Sequence, residues 1–364
     1  MDLLCCDITG SRAFKSTADA EARSALQRHR KIEKYLASEK KRSSKIIKTV
    51  LLGIKDSGKS TVMKQMHSIY SNGFSEGERH KARPVILKDL LGIFRTLLGN
   101  MDTERMSFGT ETVKLSADLI GKTDADIIFS GASVDAAICD AMKNVWLDPV
   151  MCTAISENRH IFYHDNWLYF YNSTDRITTP EWLPNDQDTL QARLWSRGIT
   201  EISFNIGPIT WEMTKIDNCG AGLRKKGLHL FEDVHCGLYI VPLSDYDQRL
   251  IEDDSMTMMH EIIVNFESLI YYNRWFKDRP LVILLNKVDI FKEKLAVSPL
   301  SEYFPDFEGS NTDFSAAAGY FANHFRTSAA ARASRDRQVY IYFTNATDTA
   351  SMRATMESIH SSIV

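Results

Sequence analysis

Long apolar runs are missing from this 364-residue chain. Nothing approaches the ~18–20 residues of a membrane span, and the longest compact run, Leu281-Val-Ile-Leu-Leu285, has the length of a strand. A signal-peptide pattern is missing too: the chain opens Met1-Asp2, with no basic region ahead of an apolar stretch. Position 2 is not glycine, which excludes N-myristoylation by its own chemistry. Charge of one sign is not in excess. With 44 Lys+Arg against 47 Asp+Glu the net charge is −3, which gives no support for bulk nucleic-acid binding. The six cysteines form no C-x-x-C pair and no metal-type spacing, so they read as free thiols in a reducing, cytosolic compartment. Internal repeats are absent. What remains, 44% hydrophobic and 25% charged residues, is ordinary for a globular chain long enough for two or three domains.

Residues 17–42 lack Gly and Pro, and Ala18, Ala22, Ala25, His29, Ile32 and Leu36 recur at spacings of four and three. That narrow stripe on a helix suits one partner. Between Arg23 and Lys48 ten Lys/Arg face two Glu, a run that reads either as a solvated face or as a helix near anionic lipid. An apolar strand, Ile46–Leu52, then leads through a glycine-bearing turn into a helix over Ser60–Tyr70. Residues 72–190 are rich in helix formers. Strand-like runs follow at Glu201–Phe204, Thr210–Ile216, Gly237–Leu243, Leu281–Leu285 and Val339–Phe343, alternating with helical stretches. Such alternation predicts an α/β fold with a parallel sheet and crossover helices. The organisation expected is an N-terminal helix (1–44), an α/β domain (45–71 and 191–364) and an all-helical insertion (72–190). Ser310–Arg337 reads as a helix plus a loop insertion.

Gly53-Ile-Lys-Asp-Ser-Gly58-Lys59-Ser60 fits G-x-x-x-x-G-K-[ST], after an apolar strand and opening a helix. Its physics is anion capture: backbone amides from Asp56 to Thr61 and a helix N-terminus surround phosphates, Lys59 adds a point charge, and the Ser60 hydroxyl reaches Mg²⁺. The motif names no base. Asn286-Lys287-Val-Asp289 follows the strand Leu281–Leu285, where open α/β sheets bind ligands. A carboxylate there accepts both the N1–H and the exocyclic amine of guanine, which adenine cannot match, so an adenine-specific kinase is disfavoured. Thr344-Asn-Ala-Thr347 offers the Ala346 amide to the guanine carbonyl. Asp217-Asn-Cys-Gly220 fits D-x-x-G, with Asp217 on Mg²⁺ through water and the Gly220 amide on the γ-phosphate.

With these boxes in order, the chain resembles the α subunits of heterotrimeric G proteins over nearly its whole length. Three stretches add specificity: Asp175 to Arg193, Leu243 through Met259 to Phe276, and Phe343 to Thr349. The resemblance implies a small-GTPase-like P-loop domain with an inserted helical domain, bound GTP or GDP with Mg²⁺, and signal transduction. It implies that Arg193 is a built-in arginine finger working beside Lys59, that Ser196 stands for the Mg²⁺-binding switch threonine, that Asp165 and Asn166 approach the nucleotide, and that Leu190 and Gln191 flank the ribose. Implied partners are a β/γ dimer, an effector and a membrane receptor, the chain being a monomer or the α subunit of a heterotrimer.

The departures from that family cluster around hydrolysis. The second glycine of the phosphate loop is Lys55, which either crowds the attacking water or points to solvent. The water-orienting glutamine is Ala221, Arg197 replaces a switch threonine, and Gly227 stands about where a tryptophan packs on the β partner. A slow GTPase is therefore expected; the alternative is a pseudo-GTPase interaction module. Cys5 and Cys6 are either S-acylated, holding the chain at the cytoplasmic face of the plasma membrane with the basic helix as second signal, or inert. The family continues past the position of Val364 into its receptor-docking segment, so receptor coupling is the least supported of the implied contacts.

Overall fold

The computed structural model describes residues 26–41, 43–104, 108–123, 135–157, 166–194, 198–216, 233–250, 256–272, 278–331 and 337–364. Six strands form one sheet: β1 (Ile46–Leu52), β2 (Ile199–Ile206), β3 (Ile209–Ile216), β4 (Cys236–Pro242), β5 (Leu281–Asn286) and β6 (Val339–Phe343). Their order is β2-β3-β1-β4-β5-β6. Every residue of β4 and β5 is buried, as expected of central strands covered on both faces.

The sheet is not wholly parallel, which corrects the expectation from sequence. β2 runs antiparallel to β3, in register from Ile199↔Ile216 to Ile206↔Ile209. The reason is local. Only Gly207 and Pro208 join the two strands, and Gly207 takes φ 57, a conformation two-residue hairpin loops demand. A parallel partner would need a crossover of a dozen residues or more.

The helices, in chain order, begin with α1 (26–41). Then come α2 (Lys59–Tyr70), α3 (Glu76–Glu104), α4 (Glu111–Lys122), α5 (Ala136–Trp146), α6 (Pro149–Glu157), α7 (Trp167–Asn172), α8 (Thr174–Ile177) and α9 (Asp186–Gln191). After the hairpin follow α10 (Met258–Tyr272), α11 (Val288–Leu295), α12 (Phe314–Ala330) and α13 (Thr349–Ile363). Helices α3 to α9 fall between α2 and β2 and bury a core of their own around Leu90, Phe94, Ile120, Met142 and Phe170. The sheet carries two further cores. Phe266, Phe291, Phe321 and Phe325 pack on one face; Met66, Trp211, Met213 and Met356 pack on the other. No helix among the described residues is long and apolar enough to cross a membrane. In α1 the apolar residues Leu26, Ile32, Tyr35 and Leu36 are all exposed.

One short helix sets the geometry of the site. The start of α9 is closed by a capping box, in which Asn185 and Asp188 each accept the other's backbone N–H. Asp188 is fully buried and takes both arms of the Arg176 guanidinium at 2.7 Å, plus the Tyr169 hydroxyl at 2.7 Å. Burial alone would raise its carboxyl. Arg176, Tyr169 and the Asn185 amide outweigh burial and hold it below the usual carboxylate range.

Candidate functional site

Beyond Leu52 the chain turns through Gly53 and Gly58 into α2. Both glycines have positive φ, 139° and 105°. A Cβ on Gly53 would lie 2.5 Å from the Ile240 carbonyl oxygen, and one on Gly58 would lie 2.3 Å from Asn286 Nδ2. Glycine is required at both places by close approach as much as by conformation. Gly58 caps α2 without a side chain, and Gly58, Lys59, Ser60 and Thr61 line a cavity of about 810 Å³. The positive end of a helix therefore opens into it. Asp56 and Lys55 also line the cavity; Lys55 is exposed at its rim. Ser57 is buried behind the loop and does not line it. Lys59 is 5% exposed, and its ammonium donates to the carbonyls of Gly53 (3.0 Å) and Ile54 (2.6 Å).

At the other end of the cavity lies the turn after β5. Asn286 is 2% exposed and acts as a joint. Its Nδ2 donates to the Ser57 carbonyl at 3.0 Å, while its Oδ1 accepts the Ala346 amide at 2.9 Å and the Thr344 hydroxyl at 3.3 Å. One side chain thus ties the phosphate loop to the loop after β6. Ala346 was expected to offer its amide to the guanine carbonyl; here that amide donates to Asn286. Asn286 reaches it because it ends the buried strand β5 and fills the gap between the two loops. Lys287 adopts φ 61 and places its ammonium 3.6 Å from Asp245. Asp289 is exposed, lines the cavity and accepts Asn345 Nδ2 at 2.9 Å.

The linker after α9 closes the side. Asn166, Leu190, Gln191 and Arg193 all line the cavity, and Asn166 Nδ2 donates to the Gln191 carbonyl at 3.2 Å. Gln191 is nearly buried, and its Oε1 has no partner among the described residues. From α2, Lys64 reaches the carbonyls of Thr189 (3.1 Å), Leu190 (3.4 Å) and Ala192, while Gln187 Nε2 reaches the Thr347 carbonyl at 3.1 Å. Burial, and then the neighbouring Lys215, push the Lys64 ammonium down to about 8. Across the linker, burial pushes the Asp89 carboxyl up to about 6, against the charge and backbone N–H of Arg193.

Ser60, the expected magnesium ligand, is already engaged. Its hydroxyl accepts Lys215 Nζ at 3.1 Å, and Lys215 is 1% exposed and lines the same cavity. Magnesium takes oxygen ligands of low or negative charge. An ammonium on the one expected ligand that is described is the opposite environment. The described residues therefore do not fit the ion.

Of the residues proposed from sequence, Asp56, Gly58, Lys59, Ser60, Thr61, Asn166, Leu190, Gln191, Arg193, Asn286, Lys287, Asp289 and Ala346 meet in this one cavity. Asp165, Ser196, Arg197, Asp217, Gly220, Ala221, Gly227, Cys5 and Cys6 lie outside the described residues. Sequence reasoning missed Lys64, Lys215, Asn345 and Thr347. For Lys215 a signal existed. Trp211, Met213 and Lys215 share one face of β3, and all three are buried, so the two-residue period alone points a lysine inward.

A phosphate loop and an Asn-Lys-x-Asp turn facing one cavity of an α/β sheet, with helices inserted beside it, define a P-loop nucleotide-binding protein of the GTPase class. The model of the G-protein alpha subunit family matches residues 26–363. Among similar chains are a guanine nucleotide-binding protein subunit alpha of Cochliobolus heterostrophus, 35% identical over 94% of this chain and 95% of its own, and a guanine nucleotide-binding protein alpha-2 subunit of Neurospora crassa, 36% identical over 93% of each. A G-protein complex alpha subunit of Aspergillus fumigatus is 35% identical over 96% of each. The chain belongs to the G-protein alpha-subunit family.

Proposed function

We propose that the cavity binds GDP and GTP, that the chain is a guanine-nucleotide switch in G-protein signalling, and that it hydrolyses GTP slowly. The observation that carries this reading is Asn286, which brings the phosphate loop and the base-reading turn to the two ends of one cavity. The roles follow from position. Amides at the start of α2 take phosphate oxygens, with Lys59 beside them. Asp289 accepts two N–H groups of guanine. The orphaned Oε1 of Gln191, with Leu190 and Asn166, faces the ribose and accepts a hydroxyl proton.

Hydrolysis of this kind rests on positioning and electrostatics. Arg193 supplies the charge that neutralises the transferred phosphoryl group, a contribution of about 10³–10⁵ in rate in enzymes of this class. Ala221 offers the attacking water neither donor nor acceptor, and Lys55 stands at the cavity rim. Magnesium has no part in this reading, since Ser60 is held by Lys215. The exposed apolar stripe of α1 is the surface proposed to meet a β/γ dimer, and S-acylation at Cys5 and Cys6 would hold the chain at the cytoplasmic membrane face. An effector and a membrane receptor are the further partners proposed.

The test is identification of the nucleotide that co-purifies with the chain, followed by single-turnover phosphate release. Guanine nucleotide and a rate well below that of the family are expected. Adenine nucleotide would overturn the binding reading, and a family-like rate would overturn slow hydrolysis.

A further inference from the structure

We propose that Lys215 does the work of the divalent cation: its buried ammonium neutralises the phosphates beside Ser60, so that this chain binds guanine nucleotide without magnesium. The inference rests on the guanine-nucleotide reading above and adds to it the identity of the counter-charge.

The argument is geometric first. Lys215 lies in β3 between β1 and β2, paired with Leu51 on one side and Thr200 on the other. Its neighbours on the same face, Trp211 and Met213, are fully buried. A lysine on a surface swings freely; one packed at this register has its stem fixed by the strand and its neighbours. The ammonium ends at Ser60 Oγ, 3.1 Å away, on the floor of the cavity and one residue beyond Lys59. Magnesium binds oxygens at about 2.0–2.1 Å, so an ion on the same hydroxyl would sit no farther than about 5 Å from Lys215 Nζ. Two cations at that separation in a half-enclosed site repel strongly.

The surroundings favour an anion instead. Lys59, Lys64 and Lys215 bring three buried or nearly buried ammoniums to this end, with the helix N-terminus beside them. Burial, and then Lys215, disfavour the charged form of Lys64, as expected where positive charge is gathered on one cavity floor. A pyrophosphate relieves both charges at once. A lysine carries one positive charge where magnesium carries two, but it needs no recruitment from solvent and cannot be chelated.

The experiment uses the full chain, stripped of nucleotide, titrated with GDP and with a non-hydrolysable GTP analogue. Each titration is run in excess EDTA and in excess magnesium chloride. Affinities that differ by less than about tenfold between the two conditions support the inference. Binding that needs magnesium overturns it and leaves the guanine-nucleotide reading standing. Binding in neither condition overturns that reading as well, so the two failures are distinct. The variant Lys215→Met, close to the original in volume, is then measured the same way. It should lose roughly a hundredfold or more in EDTA and recover with magnesium. If Lys215→Met still binds equally in both, Lys215 is not the counter-charge and the assignment fails. The wild-type comparison needs no variant, so poor folding of Lys215→Met cannot shield the proposal.

Discussion

The two ends of the cavity are built on different principles. At the base end the polar groups are mostly neutral and satisfied by one another. Asn286 bridges Ser57 and Ala346, Asn345 holds Asp289, and Gln65 donates to the Ala346 carbonyl at 3.0 Å. At the phosphate end, positive charge is gathered in burial: Lys59, Lys64 and Lys215 all lie against the loop or the linker. The first arrangement stabilises the fold whether or not a nucleotide is bound, because buried donors and acceptors are paired. The second is costly alone and becomes favourable when an anion arrives. On the proposed binding mode, shape recognition and charge recognition are separated along one cavity, and mutations at the two ends should fail in different ways.

The largest effect is expected where the two ends join. Asn286→Ala leaves the buried Ala346 amide and Ser57 carbonyl without their partner, and should cost about 3 kcal/mol of stability, read from urea unfolding. A stability loss under about 1 kcal/mol would show that the joint is dispensable. Asp289→Ala should do the reverse. It touches an exposed carboxylate, so stability should move by less than about 0.5 kcal/mol. GDP affinity should nevertheless fall by about 2 kcal/mol, and the preference over ADP should narrow, since hydrogen bonds to a charged group are lost. Competition binding with the two diphosphates checks this, and an unchanged preference would remove Asp289 from base recognition.

Ala221→Gln should raise single-turnover GTP hydrolysis by roughly tenfold, and more when combined with Lys55→Gly at the cavity rim. No gain in either variant would mean that the slow step lies elsewhere. The smallest effect concerns Asp89, against the arginine linker. Its folded carboxyl titrates near 6, above its ordinary value of 3.8, so the folded chain holds a proton that the unfolded chain has released. Stability from this group is complete at pH below that ordinary value and falls as pH rises through about 6. Asp89→Asn should therefore flatten the pH dependence of stability in that window, by roughly 1 kcal/mol once solvent screening of this part-exposed carboxyl is allowed for, with melting temperature across pH as the readout. A wild-type curve that rises through the same window would reverse the sign and exclude this account.

Much of the candidate cavity is legible in the sequence. The strand at Leu281, the phosphate loop and the Asn-Lys-x-Asp turn each depend on local pattern, and the sheet puts them at strand ends by topology. Ile46–Leu52 and Val339–Phe343 fall where they were expected, and the other strands shift by a residue or two at their ends. The antiparallel hairpin was legible too, since Gly207-Pro208 is too short for a crossover, but alternation of strands and helices argued the other way. Lys215 was marked by its period and went unread because lysine in a strand usually faces water.

Sequence alone determined the family, the G-x-x-x-x-G-K-S loop and the Asn-Lys-x-Asp turn, because each motif is written in residues a few positions apart. Only the tertiary structure decided that Asn286 would take the Ala346 amide, that Lys64 would hold the linker, and that Lys215 would end on Ser60. Those contacts join residues 60, 125 and 155 positions apart. At such separations the path of the chain through the packed sheet, and not any local preference, determines which groups come within hydrogen-bonding distance.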